Sequence, residues 1–156
     1  MRDFIEETAG TVFSGGCHCG AVRFEAHGPL RPIVVCHCTD CFGLSGYSWA
    51  ATAVDDTRFA LTKGADNIDW YASSDFARRG FCKSCHAQMF YRLNDKAQTS
   101  VSPGMLDHLD GLYTAGHIYR ASLPKACHIS SDAPDLIADL DAQQASVLKH
   151  AARLTS

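Results

Sequence analysis

The sequence predicts a mainly β domain of short antiparallel sheets, followed by one C-terminal α-helix. Three observations lead there. Short runs of β-branched and aromatic residues recur between Gly, Asp, Asn and Ser breakers, at the intervals of an all-β domain. No sustained alternation of strand and helix patterns appears. Helical periodicity is confined to the end of the chain.

Taken in order, Val12 to Ala26 reads as extended chain, with Val22, Phe24 and Ala26 alternating against Arg23 and Glu25 before a turn at Gly28-Pro29. Ile33 to Cys38 is a second strand run. Thr39 to Gly46 has the polar and glycine content of a loop or one short helical turn. Further strands are predicted at Ser48 to Val54, Arg58 to Leu61, Ile68 to Ala72, Gln88 to Leu93 and Thr99 to Val101. The helix opens at Pro134, with Asp132 able to cap it, and carries Leu136, Ile137, Leu140, Val147 and Leu148. It is expected to pack on the domain or on a partner subunit. The organisation is then an N-terminal extension over 1–12, a cysteine-bearing domain over 13–130 and the helix over 131–156.

The 156 residues suffice for one compact domain with a real core. A net charge of −3 lacks the basic footprint of a nucleic-acid binder, so no nucleic-acid partner is expected. Met1 to Gly10 carries Arg2, Asp3, Glu6 and Glu7 and no apolar run of signal-peptide length. No later stretch approaches the roughly 18 to 20 apolar residues of a membrane span. A cytoplasmic protein without a membrane partner is the expectation, and in a reducing cytosol clustered thiols point to metal rather than disulfides.

Seven of the eight cysteines are clustered. Cys17-His18-Cys19 and Cys36-His37-Cys38 place ligands two residues apart, so on an extended strand both sulfurs of a pair would face the same side. His18 and His37 would face the other way, as structural residues or partners of the ligands. Cys38-Thr39-Asp40-Cys41 and Cys82-Lys83-Ser84-Cys85 are CxxC units, whose turn suits the approximately 2.3 Å Zn–S distance. Zinc is the expected ion, with iron–sulfur ligation the metal alternative.

Seven sulfurs cannot fill two closed four-cysteine sites. Cys36, Cys38 and Cys41 can supply three ligands from one segment, leaving Cys17, Cys19, Cys82 and Cys85 to close a tetrahedral site. A closed site is structural as a rule, and three ligands with an exchangeable position mark a catalytic zinc. Three thiolates acidify a bound water less than three histidines do, so a substrate thiol suits the open position better than hydrolysis. Other readings stay open. A ribbon of Cys38, Cys41, Cys82 and Cys85 would be purely structural, Cys127 or His86 could complete the second site, and otherwise Cys127 is a small buried apolar residue.

The block Gly15-Gly16-Cys17-His18-Cys19-Gly20-Ala21-Val22-Arg23-Phe24 resembles the glutathione-dependent formaldehyde-activating enzyme family, which includes centromere protein V. Cys36-His37-Cys38-x-x-Cys41, Leu44-Ser45-Gly46, Trp49, Phe81-Cys82-x-x-Cys85, Phe90, Leu106-Asp107 and His117-Ile118 continue the resemblance in order, over roughly residues 13 to 123. His86 departs from it where the family commonly has glycine, as does Lys125-Ala126-Cys127 in place of a tryptophan-containing stretch. The resemblance implies a β-tent fold and two zinc ions per chain. The structural ion falls to Cys17, Cys19, Cys82 and Cys85, and the catalytic one to Cys36, Cys38 and Cys41. It implies a carbon–sulfur lyase reaction in which glutathione and formaldehyde combine to S-(hydroxymethyl)glutathione.

The expected function is therefore a zinc-dependent enzyme forming or cleaving an S-hydroxymethyl adduct between a thiol such as glutathione and a small aldehyde. His37, Trp49 and His117 are its candidate pocket groups. The competing class is a non-catalytic, zinc-stabilised protein-interaction or chaperone module. An exposed apolar face on the last helix would favour that module or a homodimer.

Overall fold

The structure, a computed structural model, describes residues 4–130 and 132–136. The described chain is mainly β, with strands β1 (Val12–Gly16), β2 (Arg23–His27), β3 (Ile33–Cys36), β4 (Trp49–Asp55), β5 (Phe59–Lys63), β6 (Ile68–Ala72), β7 (Ala77–Cys82), β8 (Gln88–Leu93), β9 (Gln98–Val101) and β10 (Thr114–Ile118), and one α-helix, α1 (Thr39–Ser45). It divides into two compact units. Among the described residues, one combines 4–33 with Ala51–Tyr113, and the other combines Val34–Ala50 with those from Thr114 onward. No helix among the described residues is long and apolar enough to cross a membrane.

In the first unit β1, β2 and β5 form an antiparallel sheet in that order, and β4, β9, β8, β7 and β6 are neighbours in a second set of antiparallel pairs. Alternation decides which face is buried. Phe13, Phe24 and Ala26 are almost inaccessible, whereas Glu25 and Arg23 between them are half-exposed. The rings of Phe24, Phe59 and Phe90 meet with centroids 5.3 to 5.6 Å apart, a geometry worth about 0.5–1.5 kcal/mol per pair beyond area burial. Val22, Ile68, Met89 and Val101 complete this core, and Cys17 and Cys82 belong to it.

Strands β6 and β8 have the predicted bounds, and β4, β5 and β9 differ by a residue or two. Val12 to Ala26 is not one extended segment. It folds into the β1–β2 hairpin, whose turn is closed by Gly20 N–H donating to Cys17 O at 3.0 Å and Cys17 N–H to Val22 O at 3.1 Å. Strand β7 was not predicted: Arg78 and Arg79 interrupt any apolar alternation there. Arg78 covers Trp70 and Arg79 covers Tyr91, at 5.2 and 4.9 Å from the ring centroids. Gly80 belongs between them because a Cβ there would lie 3.0 Å from Phe90 and 3.2 Å from Trp70.

In the second unit β10, β3 and the start of β4 are neighbours, and α1 follows β3 directly. Cys38 is the N-cap of α1, its sulfur accepting from Cys41 N–H at 3.3 Å, and Gly46 ends the helix in the left-handed region. Trp49, Val34, Tyr119 and Leu136 are buried here with Cys38 and Cys41. The helix expected to open at Pro134 does not do so over the described residues. Asp135 forms a parallel bridge with His117, with His117 N–H donating to Pro134 O at 2.9 Å and Leu136 N–H to His117 O at 2.8 Å. Ile137, Leu140, Val147 and Leu148 lie outside the described residues.

Candidate metal centres

Cysteine sulfurs gather in two groups, Cys17, Cys19, Cys82 and Cys85 in the first unit and Cys36, Cys38 and Cys41 in the second, with the sulfurs of each group within 4.8 Å of one another. Neither group mixes Cys38 and Cys41 with Cys82 and Cys85, so the ribbon arrangement does not form.

The four-sulfur group joins two turns. Cys17 and Cys19 occupy the β1–β2 turn, and Cys82 to Cys85 the β7–β8 turn, where Cys82 N–H donates to Ala87 O at 3.0 Å and His86 N–H to Cys82 O at 2.8 Å. His86 takes the left-handed position of that turn, with φ 61°. That is the conformation in which glycine is least strained, which accounts for glycine being common there in the family the sequence resembles. Sulfur separations of 3.6 Å for Cys17–Cys19 and 3.8 Å for Cys19–Cys82 match the edge of about 3.8 Å of a tetrahedron with 2.3 Å metal–sulfur bonds. Val22 N–H donates to the Cys17 sulfur and Asn67 Nδ2–H to the Cys82 sulfur, each at 3.3 Å.

These donors favour thiolate. The N–H of Ala87, opposed by burial, brings the Cys85 thiol down to about 6. Ala21 N–H lowers Cys19 too, but the neighbouring sulfur of Cys17 and burial outweigh it and push that thiol up to about 11. Four adjacent thiols cannot all ionise unaided, and a dication removes that repulsion. The group fits a closed tetrahedral metal site.

The three-sulfur group comes from one segment. Cys36 ends β3, Cys38 caps α1 and Cys41 lies in its first turn. The sulfurs of Cys38 and Cys41, followed by burial, push the Cys36 thiol well above its ordinary value. Cys36 draws the Cys38 thiol down, yet Cys41 and burial raise it to about 11. This set also asks for a cation, and supplies one ligand fewer.

Neither Cys-x-Cys pair lies wholly on a strand, contrary to the geometry expected from the sequence. The chain leaves its strand at each pair, with His18 and Cys19 in a turn and Cys38 in a bend that leads into α1. His18 is exposed, and His37 is only 1% exposed. The His37 ring lies 2.5 Å from Ser48 Oγ through Nδ1 and 2.8 Å from His117 Nδ1 through Nε2, so both ring nitrogens are engaged. Burial, then the charges of His117 and Arg120, lower its basicity and keep it neutral near neutral pH.

Trp49 is buried in the same unit, as expected of a wall. Tyr119 was not legible in the sequence. It is buried with φ 56°, and burial followed by the field of the Cys36, Cys38 and Cys41 sulfurs holds its phenol well above the ordinary value. No local motif marks it, since the β10 pairing brings it to the sulfurs. Cys127 is not in the three-sulfur group, and its sulfur, followed by burial, raises the Tyr47 phenol above its ordinary value.

A sequence model described as glutathione-dependent formaldehyde-activating enzyme matches residues 12–122. An uncharacterized lyase of Schizosaccharomyces pombe, C29B12.13, is 29% identical over 82 residues, which are 51% of this chain and 56% of that protein. The chain thus spans little more than half the length of that relative. A Rhodobacter sphaeroides protein solved by crystallography as a structural-genomics target is 22% identical, with a TM-score of 0.49 over 62% of this chain and 90% of its own.

Proposed function

The chain belongs to the glutathione-dependent formaldehyde-activating enzyme family, and from that premise we propose that it is a zinc-dependent carbon–sulfur lyase-type enzyme. Its substrates on this reading are a thiol such as glutathione and a small aldehyde such as formaldehyde, joined as or released from an S-hydroxymethyl adduct. The observation that carries the reading is the inequality of the two sulfur groups, four in one and three in the other. Four thiolates fill a tetrahedral ion, whereas three leave a place for a substrate atom. Cys17, Cys19, Cys82 and Cys85 would hold a structural zinc, within a β-tent fold, and Cys36, Cys38 and Cys41 a catalytic one.

Zinc held by the three sulfurs would supply a soft Lewis acid that favours the thiolate form of a substrate thiol near neutral pH. The chain's residues supply the setting. Cys38 and Cys41 are buried, which limits the access of water to their sulfurs, and Trp49 is buried in the same unit. Tyr119, protonated at neutral pH, is the donor for the aldehyde oxygen as it gains negative charge. In the forward direction a lone pair of the substrate sulfur forms the C–S bond, the carbonyl π pair moves to oxygen, and that oxygen takes up one proton in place of the one the thiol gave up, so none is gained or lost overall. Cleavage is the reverse.

Zinc content and adduct formation test this together, the latter as the exchange rate of S-(hydroxymethyl)glutathione by NMR compared with the spontaneous rate. The expected result is two zinc ions per chain and a rate above background, with Cys36→Ser losing one ion and the added rate. A single ion per chain, unaffected by Cys36→Ser, would leave the non-catalytic module as the function.

A further inference from the structure

The bend that brings Cys36 and Cys38 together is held from outside the ligand set. His37, between the two cysteines, donates its backbone N–H to Ile118 O at 3.0 Å. Its ring spans from Ser48 Oγ at 2.5 Å to His117 Nδ1 at 2.8 Å. A neutral imidazole has one N–H and one acceptor, and a serine hydroxyl can take either role. The chain Ser48–His37–His117 is therefore complete when His117 offers the complement at Nδ1. The bend at Cys17-His18-Cys19 is built differently. His18 is exposed, and the turn is closed by the backbone bonds from Gly20 to Cys17 and from Cys17 to Val22.

His117 is itself fixed by the segment Ser130–Leu136, apart from residue 131, which lies outside the described residues. That segment bonds to both sides of the His117 backbone and accepts from Arg120 through Ala133 O and Ser130 O. It packs closely on β10: a Cβ at Gly116 would lie 2.6 Å from Pro134 O.

We propose that Ser48, His37 and His117 are positioning residues, a hydrogen-bonded clamp that holds the Cys36–Cys38 bend in the shape needed to grip a divalent metal ion. The clamp sets the affinity of the three-sulfur site, while the four-sulfur site has no counterpart to it at His18. The inference rests on the reading of Cys36, Cys38 and Cys41 as metal ligands.

Cobalt(II) titration of the metal-free protein tests it, following thiolate-to-cobalt absorption in competition with a chelator. The variants are His117→Ala, His117→Asn, Ser48→Ala and, as the matched control, His18→Ala. Removing a hydrogen-bonding partner of a ligand itself weakens metal binding by about 10–100-fold; His117 bonds to His37 rather than to a ligand, so His117→Ala should raise the dissociation constant of the weaker cobalt by about tenfold, the lower end of that range. The tighter cobalt should be unmoved and so report an intact fold. The amide of His117→Asn sits where Nδ1 was, and should restore most of the affinity, while Ser48→Ala should fall between and His18→Ala should match the parent. Parental affinity in both His117→Ala and Ser48→Ala overturns the clamp, as does a His117→Asn no better than alanine, which would reduce His117 to packing. A parent that takes one cobalt per chain removes the three-sulfur site, and with it the reading beneath the clamp.

Discussion

The two sulfur groups use the same chemistry on opposite kinds of chain. Cys19 and Cys82, 63 residues apart, meet in the four-sulfur group, where Cys17 and Cys82 also belong to the apolar core. The three-sulfur group draws every ligand from the segment Cys36–Cys41, within which His37 bonds to Ser48 and His117, and its sulfurs act on Tyr119. Closing a long loop removes more chain entropy than closing a short one. From five residues to 63 is between three and four doublings, or ~2 kcal/mol. An ion in the first group therefore ties the fold, whereas an ion in the second can come and go without unfolding the chain around it. That difference suits one group to structure and the other to exchange with a ligand.

The largest expected effect breaks the tie itself. Cys82 is fully buried, and Cys82→Ser would remove a ligand and leave a hydroxyl in the core. Several kcal/mol should be lost, on the order of 10 °C in Tm by calorimetry. Cys41→Ser removes an equally buried ligand from the local group, and should abolish adduct exchange above the spontaneous rate while lowering Tm by only a few degrees. Equal Tm losses in the two variants would erase the distinction.

Acid should separate the groups next. The Cys85 thiol is depressed from 9.0 to about 6, so its thiolate contributes stability to the metal-free fold above pH 9, lost as pH falls through 6. Cys36 and Cys38 are raised above 9.0, as is Cys19 alone in the four-sulfur group, so their contribution is present below that value and lost as pH rises through their folded values. Metal must displace those protons. Lowering pH from 8 should release the three-sulfur ion first, by about one pH unit, read by a zinc-sensitive dye. Simultaneous release would show that the groups are linked.

How much of this contrast was legible in the sequence follows from what each feature depends on. The partition of sulfurs was legible because it is arithmetic: seven thiols cannot close two four-ligand sites. The backbone geometry behind it was not, since both Cys-x-Cys pairs bend where alternation suggests strand. Strands β6 and β8 declare themselves by aromatic and β-branched residues. β7 is hidden because its arginines stack on Trp70 and Tyr91, and β10 because Thr114, Ala115 and Gly116 carry no apolar pattern. Tyr119 and the bond from His37 to His117 depend on where β10 pairs, which no local window contains.

The smallest expected effect is also the sharpest check on the open site. Cys127 is the remaining cysteine outside both groups, and a fourth sulfur in the second group would close it and remove the place for a substrate. The Cys127 sulfur instead acts on the Tyr47 phenol, whose ring packs on Phe42 with centroids 5.3 Å apart. A serine there is a near-isosteric change. Cys127→Ser should therefore retain both zinc ions, the exchange rate and Tm within about 1 °C, since a conservative change away from core and ligands costs no more than about 0.5 kcal/mol. If the variant loses one ion by elemental analysis, Cys127 is a ligand and both groups are closed. The contrast between a tying site and an exchanging one then fails at the residue where it looked least exposed to test.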